Sequence, residues 1–155
     1  MPVEPNYFDD ERLIKIRESQ EDPIVQYYIV RTDLGMSTGK IGAQIAHGAM
    51  MFAIRYAELK YLEFDENIEY VAPGKSKLVR MAKEWFDGSF RKVVLGGKAK
   101  DFEKIKNELD VFLVKDAGLT EVDPGSETIL VTWPMLKSTR PKVLTKLQAK
   151  LQVLK

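Results

Sequence analysis

Cysteine is absent from this 155-residue chain, and histidine occurs once, as His47. The first absence excludes disulfides and thiolate chemistry, and the two together leave too few ligands for a zinc site. No apolar run reaches the length of a membrane span, and the amino terminus lacks the basic-then-apolar pattern of a secretory signal. A cytoplasmic protein with no metal and no cofactor is the expectation. Net charge is also nearly absent, at +1, but its distribution is uneven. The first 22 residues carry seven acids against three bases, and after Glu127 six bases follow with no acid among them. The chain therefore divides into an acidic arm, residues 1–22, and one domain, residues 23–155, whose apolar content suffices for a core. The basic end suits a polyanionic partner, and a solvated helix suits it nearly as well.

What is present is an alternation of strand and helix patterns. Tyr27-Tyr28-Ile29-Val30 is an aromatic and β-branched run suited to a buried strand. Ser37 or Thr38 then caps a helix over roughly 38–59, with Ile41, Ile45 and Phe52 on its apolar face. Residues 60–75 read as an acidic, irregular connection, and 77–86 as a helix with Leu78, Met81, Trp85 and Phe86 inward. A strand over 90–95, a Gly96-Gly97 turn and a helix over 101–109 follow, and then strands over 111–114 and 128–132. Pro141 opens a last helix carrying Val143, Leu144, Leu147 and Leu151. Near the amino end, 7–20 predicts a short amphipathic helix with Phe8, Leu13 and Ile16 inward. The alternation predicts a three-layer α/β domain. The link between the last two strands holds no helix, so they pair antiparallel. The sheet is then mixed and four-stranded, with helices on both faces.

Two stretches carry polar residues suited to chemistry. On the long helix, Lys40, Gln44 and His47 are spaced by four and three and share a face, with small residues around them. A phosphate-binding loop is excluded there, because only three residues separate Gly35 from Gly39 and Ile41 stands where a hydroxyl would hold magnesium. The second stretch is the helix-free link. Lys115 and Asp116 fall just beyond the carboxyl end of a strand, where open α/β sheets place ligands. Asp123-Pro124-Gly125-Ser126 has the pattern of a type II turn. The folded-back link brings Asp116, Thr120, Ser126 and Thr128 toward one another. Taken alone, each feature also fits an ordinary surface helix or a structured loop.

Together the two stretches resemble the type-two peptidyl-tRNA hydrolases. The matching residues are Val30-Arg31-Thr32-Asp33-Leu34, Met36, Gly39-Lys40, Ala43-Gln44 and Ala46-His47. Further on come Lys92-Val93-Val94, Asp116-Ala117-Gly118 with Thr120, and Pro124-Gly125-Ser126 with Thr128. The resemblance spans most of residues 25–135. It departs at Gly42 and Gly48, where the family more often has alanine. It departs also at Thr132-Trp133-Pro134, where a Gly-Pro element is usual, and this sets Trp133 at the expected pocket rim.

The resemblance implies hydrolysis of the ester between a peptide, or an acyl-amino acid, and the 3'-terminal ribose of tRNA. It implies no metal, the acceptor end of tRNA as partner, and a frequent homodimer. Such an ester is already activated, so direct water attack suffices. Lys40 is then expected to stabilise charge, on the oxyanion or on the last phosphate, and Asp116 to orient or deprotonate the water, with His47 sharing that role or holding the terminal adenosine. Gln44, Thr120, Ser126, Thr128, Arg31 and Lys115 are expected to bind substrate. Phosphate contacts are expected from Arg91, Lys92, Lys98, Lys115 and the basic terminal helix. The competing expectation is a non-catalytic tRNA- or protein-binding module of the same fold.

Overall fold

In the computed structural model, which describes residues 9–18, 21–64, 67–118 and 121–153, the element that organises the rest is strand β1, Ile24–Arg31. Its six central residues are buried because sheet neighbours and helices cover both faces. Strand β2 (Arg91–Gly97) lies parallel on one side of it. Strand β4 (Glu127–Thr132) lies antiparallel on the other, and β3 (Val111–Lys115) pairs antiparallel with β4. The order is β2-β1-β4-β3, and the helix-free link joins the antiparallel neighbours β3 and β4. A short fifth strand, β5 (Met135–Leu136), adds to the foot of β1. That addition was not expected, since two residues leave no periodicity to read.

Alternation along β1 sorts the helices into two layers. Tyr28 and Val30 face α2 (Thr38–Phe64) and α4 (Ser76–Asp87) in one core. Tyr27 and Ile29 face α5 (Ala99–Glu108) and α6 (Lys142–Val153) in the other. The domain is thus a three-layer α/β fold with a mixed sheet. Gln26 is fully buried within it and stays satisfied by donating to the Thr132 carbonyl and accepting from the Tyr28 hydroxyl. Burial raises the Tyr28 phenol to a pKa of about 12.

Several expectations fail locally. The long helix runs on to Phe64, and α3 (Ile68–Val71) follows, so most of the supposed irregular connection is helical. Buried Leu59 and half-buried Leu62 continue the inner stripe through an acidic surface. Helix α4 turns Val79, Ala82 and Trp85 inward, leaving Leu78 and Phe86 half-buried. The Gly96-Gly97 pair ends β2 and is not a separate turn. Helix α1 (Asp10–Glu18) buries no residue, and Leu13 is 51% exposed. Phe8 lies outside the described residues. Trp133 belongs to the core, packed edge-on against Phe52 with ring centroids 5.4 Å apart, and does not form a pocket rim.

Candidate active site

The candidate site forms where the start of α2 meets the loop after β3. Ser37 caps the helix: its hydroxyl accepts from the Lys40 amide at 3.2 Å and donates to Glu121 at 2.5 Å. Glu121 also accepts from the Ser37 amide, so one carboxylate pins the helix start to the loop. These bonds hold the Glu121 carboxyl below its usual pKa. Nothing in the spacing of the chain marks Glu121, and its part in the site is visible only in three dimensions.

The loop folds back on itself as the turn residues require. The Ser126 amide donates to the Asp123 carbonyl at 3.1 Å, and Gly125 takes a φ of +80°. Gly118 is needed twice over. Its φ is +76°, and a β-carbon there would fall 2.3 Å from the Pro124 nitrogen. That turn lets the Gly118 amide donate to Asp116 Oδ2 at 2.7 Å.

Asp116 is the centre of a polar chain. Its Oδ1 accepts from Lys40 Nζ at 2.7 Å and from Gln44 Nε2 at 3.2 Å. Gln44 in turn accepts from the Thr128 hydroxyl at 2.6 Å. The Lys40 and Asp116 side chains are only 13% and 8% exposed. The bond from Lys40, followed by that from Gly118, keeps the Asp116 carboxyl below the ordinary carboxylate range against the opposing effect of burial.

Thr128 reaches this chain through a fault in the sheet. Val114 pairs with Ile129, yet the next residue, Lys115, pairs with Glu127, so β4 has one residue extra at Thr128. Strict alternation would aim Thr128 away from Ile129 and α2. The bulge turns it onto their side of the sheet.

The remaining expected residues divide. Ser126 Oγ donates to the Asp123 carbonyl at 2.7 Å and so shapes the loop. Lys115 is exposed beside Asp116 at the end of β3. Arg31 pairs with Asp33 at 2.7 Å and lies over the Phe102 ring, which places it on the α5 side of the sheet. His47 is exposed on the outer face of α2, outside the hydrogen-bonded chain. Thr120 lies outside the described residues. Arg91 and Lys92 begin β2, paired with the start of β1 and hence at the opposite end of the sheet from Lys40.

An α/β sheet whose strand ends present a largely buried lysine, carboxylate, amide and hydroxyl in one bonded series defines a site for polar chemistry, and among the described residues no cluster of three or more acidic or histidine side chains is placed to hold a metal ion. The family model for peptidyl-tRNA hydrolase PTH2 matches residues 24–150, and the chain belongs to that family. It is similar to proteins named peptidyl-tRNA hydrolase from three archaea. Identity is 34% for Staphylothermus marinus, over 70% of this chain and 80% of the relative. For Thermococcus sibiricus it is 32%, over 70% and 82%, and for Methanopyrus kandleri 35%, over 70% and 83%.

Proposed function

We propose that the protein hydrolyses the ester linking a peptide, or an acyl-amino acid, to the 3'-terminal ribose of tRNA, by direct attack of water. The observation that carries this is the 2.7 Å contact between Lys40 Nζ and Asp116 Oδ1 at the start of α2, in a chain of the peptidyl-tRNA hydrolase family. Water adds to the ester carbonyl, negative charge gathers on its oxygen, and the bond to the ribose breaks. The departing ribose oxygen takes one of the water's protons to become a hydroxyl, the other passes to solvent, and the peptide leaves as a carboxylate. Lys40 supplies the cation facing the developing oxyanion. Asp116 already accepts three hydrogen bonds and is a weak base, so its role is to hold Lys40 and orient the water. Gln44 and Thr128 fix the carboxylate in turn. The chain has no cysteine, and among the described residues the Ser126 hydroxyl is committed to a backbone carbonyl and the Thr128 hydroxyl to Gln44, which favours direct water attack over an acyl-enzyme.

His47 and Thr120 are assigned to the terminal adenosine and ribose, and Lys115 and Arg31 to phosphates beyond them. The acidic arm, residues 1–22, is an appendage to the catalytic domain, and the homodimer implied by the family resemblance belongs to the same reading. A cytoplasmic setting fits this substrate; no helix among the described residues is long and apolar enough to cross a membrane. The test is release of peptide from a defined N-acetyl-aminoacyl-tRNA. Turnover by the native chain is expected, with a loss of ~10²-fold or more in Lys40→Ala. No turnover by the native chain, or equal turnover by the variant, refutes the assignment.

A further inference from the structure

Two hollows along α2 take no part in the Lys40–Asp116 chain. The first, about 400 Å³, opens over the outer face of the helix at Ala43, Ala46, His47, Met50 and Ile54. The second, about 370 Å³, lies between α2 and the β1–β2 half of the sheet. Ala46, Ala49 and Ala53 form its helix wall, Trp85 and Phe90 its end, and Lys92 its rim. Both hollows include Ala46 and Met50, so they meet along that edge. The cause is the seating of α2. Gly48 presses it onto Val131 and Val114, over β4 and β3, and the β2 side is left uncovered. Val94 on β2 is 47% exposed and Met50 is 63% exposed.

The chemistry of the trough is uneven in a useful way. Its size is that of a ligand pocket, ~300–1,000 Å³, and its walls are almost wholly apolar. Among the described residues, no carboxylate lines either hollow. The lysine among the described lining residues is Lys92, whose Nζ sits 3.2 Å from the Phe90 ring centroid and donates to the Phe90 carbonyl at 2.9 Å. Desolvation there, with Arg12 nearby, lowers its pKa to about 8. An ammonium has three N–H bonds, so others are available to an incoming acceptor.

The trough also leads from the site. Its first hollow begins at Ala43, one helical turn from Lys40. Lys40 to Met50 is ten residues of helix, about 15 Å, a span that an extended peptide crosses in about five residues. The alanines along the way let a backbone come close.

We propose that this trough binds the peptide of the substrate: the chain leaves the ester at Lys40, crosses Ala43 and Ala46, and seats an apolar side chain about five residues away between α2 and β2. Lys92 donates to a peptide carbonyl there and disfavours basic side chains. The proposal rests on the hydrolase reading and adds a specificity to it.

The experiment compares kcat/KM on N-acetyl-aminoacyl-tRNA, too short to reach the hollow beside β2, with hexapeptidyl-tRNAs bearing Leu, Ser or Lys at the fifth residue from the ester. The native chain is expected to favour Leu over Ser about tenfold, as burial of one aliphatic side chain allows, and to accept Lys worst. Ala49→Phe fills the hollow and is expected to bring the Leu-to-Ser ratio near one, with the short substrate reporting whether it folds. Lys92→Met is expected to raise turnover of the Lys peptide several-fold relative to the Leu peptide, and decides the matter if Ala49→Phe fails to fold. Equal native rates on the three peptides overturn the proposal while leaving the hydrolase standing. No native turnover on any substrate, the short one included, removes the reading beneath it. Sedimentation that finds a native dimer and a monomeric Ala49→Phe shows a second copy covering the trough, and also overturns it.

Discussion

Replacing Gly48 by alanine tests how closely α2 is seated, and with it the geometry of the site. A β-carbon at 48 would fall 2.6 Å from Val131 Cγ2, 3.2 Å from Val114 Cγ2 and 3.8 Å from Ile129 Cγ2. All three neighbours are fully buried, Val131 and Ile129 on the inner strand β4 and Val114 on the edge strand β3. They are also β-branched, with restricted χ1, so they cannot swing aside. Overpacking of this kind costs roughly 1–3 kcal/mol. Alanine in a helix interior recovers about 1 kcal/mol relative to glycine. The balance is a net loss of roughly 0–2 kcal/mol, read as a lower urea midpoint at unchanged slope. Gly42 supplies the control, since nothing lies within 4 Å of a β-carbon there. Its alanine variant is expected to gain up to about 1 kcal/mol. Activity gives a second readout. Gln44, one turn before Gly48, holds Asp116 at 3.2 Å and Thr128 at 2.6 Å, and lifting the helix lengthens both bonds. Gly48→Ala should therefore lower kcat several-fold with KM little changed. A Gly48→Ala protein stabilised as much as Gly42→Ala would refute the seating and the explanation of why this chain departs from alanine there.

Two further outcomes follow from the charges. Asp116 titrates below the ordinary 3.8, so its contribution to stability is complete above pH 3.8 and is lost as pH falls through the depressed folded value. The acid limb of kcat/KM assigned to this group should likewise lie below 3.8 and move upward in Lys40→Met, which removes the largest cause of the shift. A native carboxyl titrating at or above 3.8 by NMR would contradict the geometry. For tRNA affinity, Lys98 follows β2 and Lys115 ends β3, both at the Lys40 end of the sheet, whereas Arg91 is at the far end. Lys98→Ala and Lys115→Ala should each flatten the plot of log affinity against log salt by about 0.7–0.9, and Arg91→Ala should leave it unchanged.

How far the site was legible in the chain depends on which residues burial constrains. Helical spacing placed Lys40, Gln44 and His47 together, but spacing fixes only relative angles and not which side of the helix meets the sheet. That side is centred near Gly48, which carries no hydrophobic signal, and the result turns Gln44 inward and His47 outward. Thr128 was legible as a loop-end polar residue, while its direction depends on a register shift that no single strand encodes. Glu121 was invisible because an exposed loop acid has no periodicity. Trp133 was misplaced because a sequence departure suggested a rim, when a large aromatic beside Phe52 and Phe112 is more stably housed in the core.

The pairing of Lys40 with Asp116 was the easiest part to foresee, and the reason is energetic. A lysine and a carboxylate each largely withdrawn from water are costly alone and tolerable together. Once the strand end and the helix start are brought to the same edge of the sheet, the two groups have little alternative to meeting. Lys115 has no such constraint, because solvent satisfies it wherever it points. Arg31 is settled by Asp33, two residues away, on the opposite face. Thus a polar residue is predictable from sequence in proportion to how deeply the fold buries it. The phosphate-binding cations of a tRNA enzyme, which must stay wet to do their work, are the residues a single sequence locates least well.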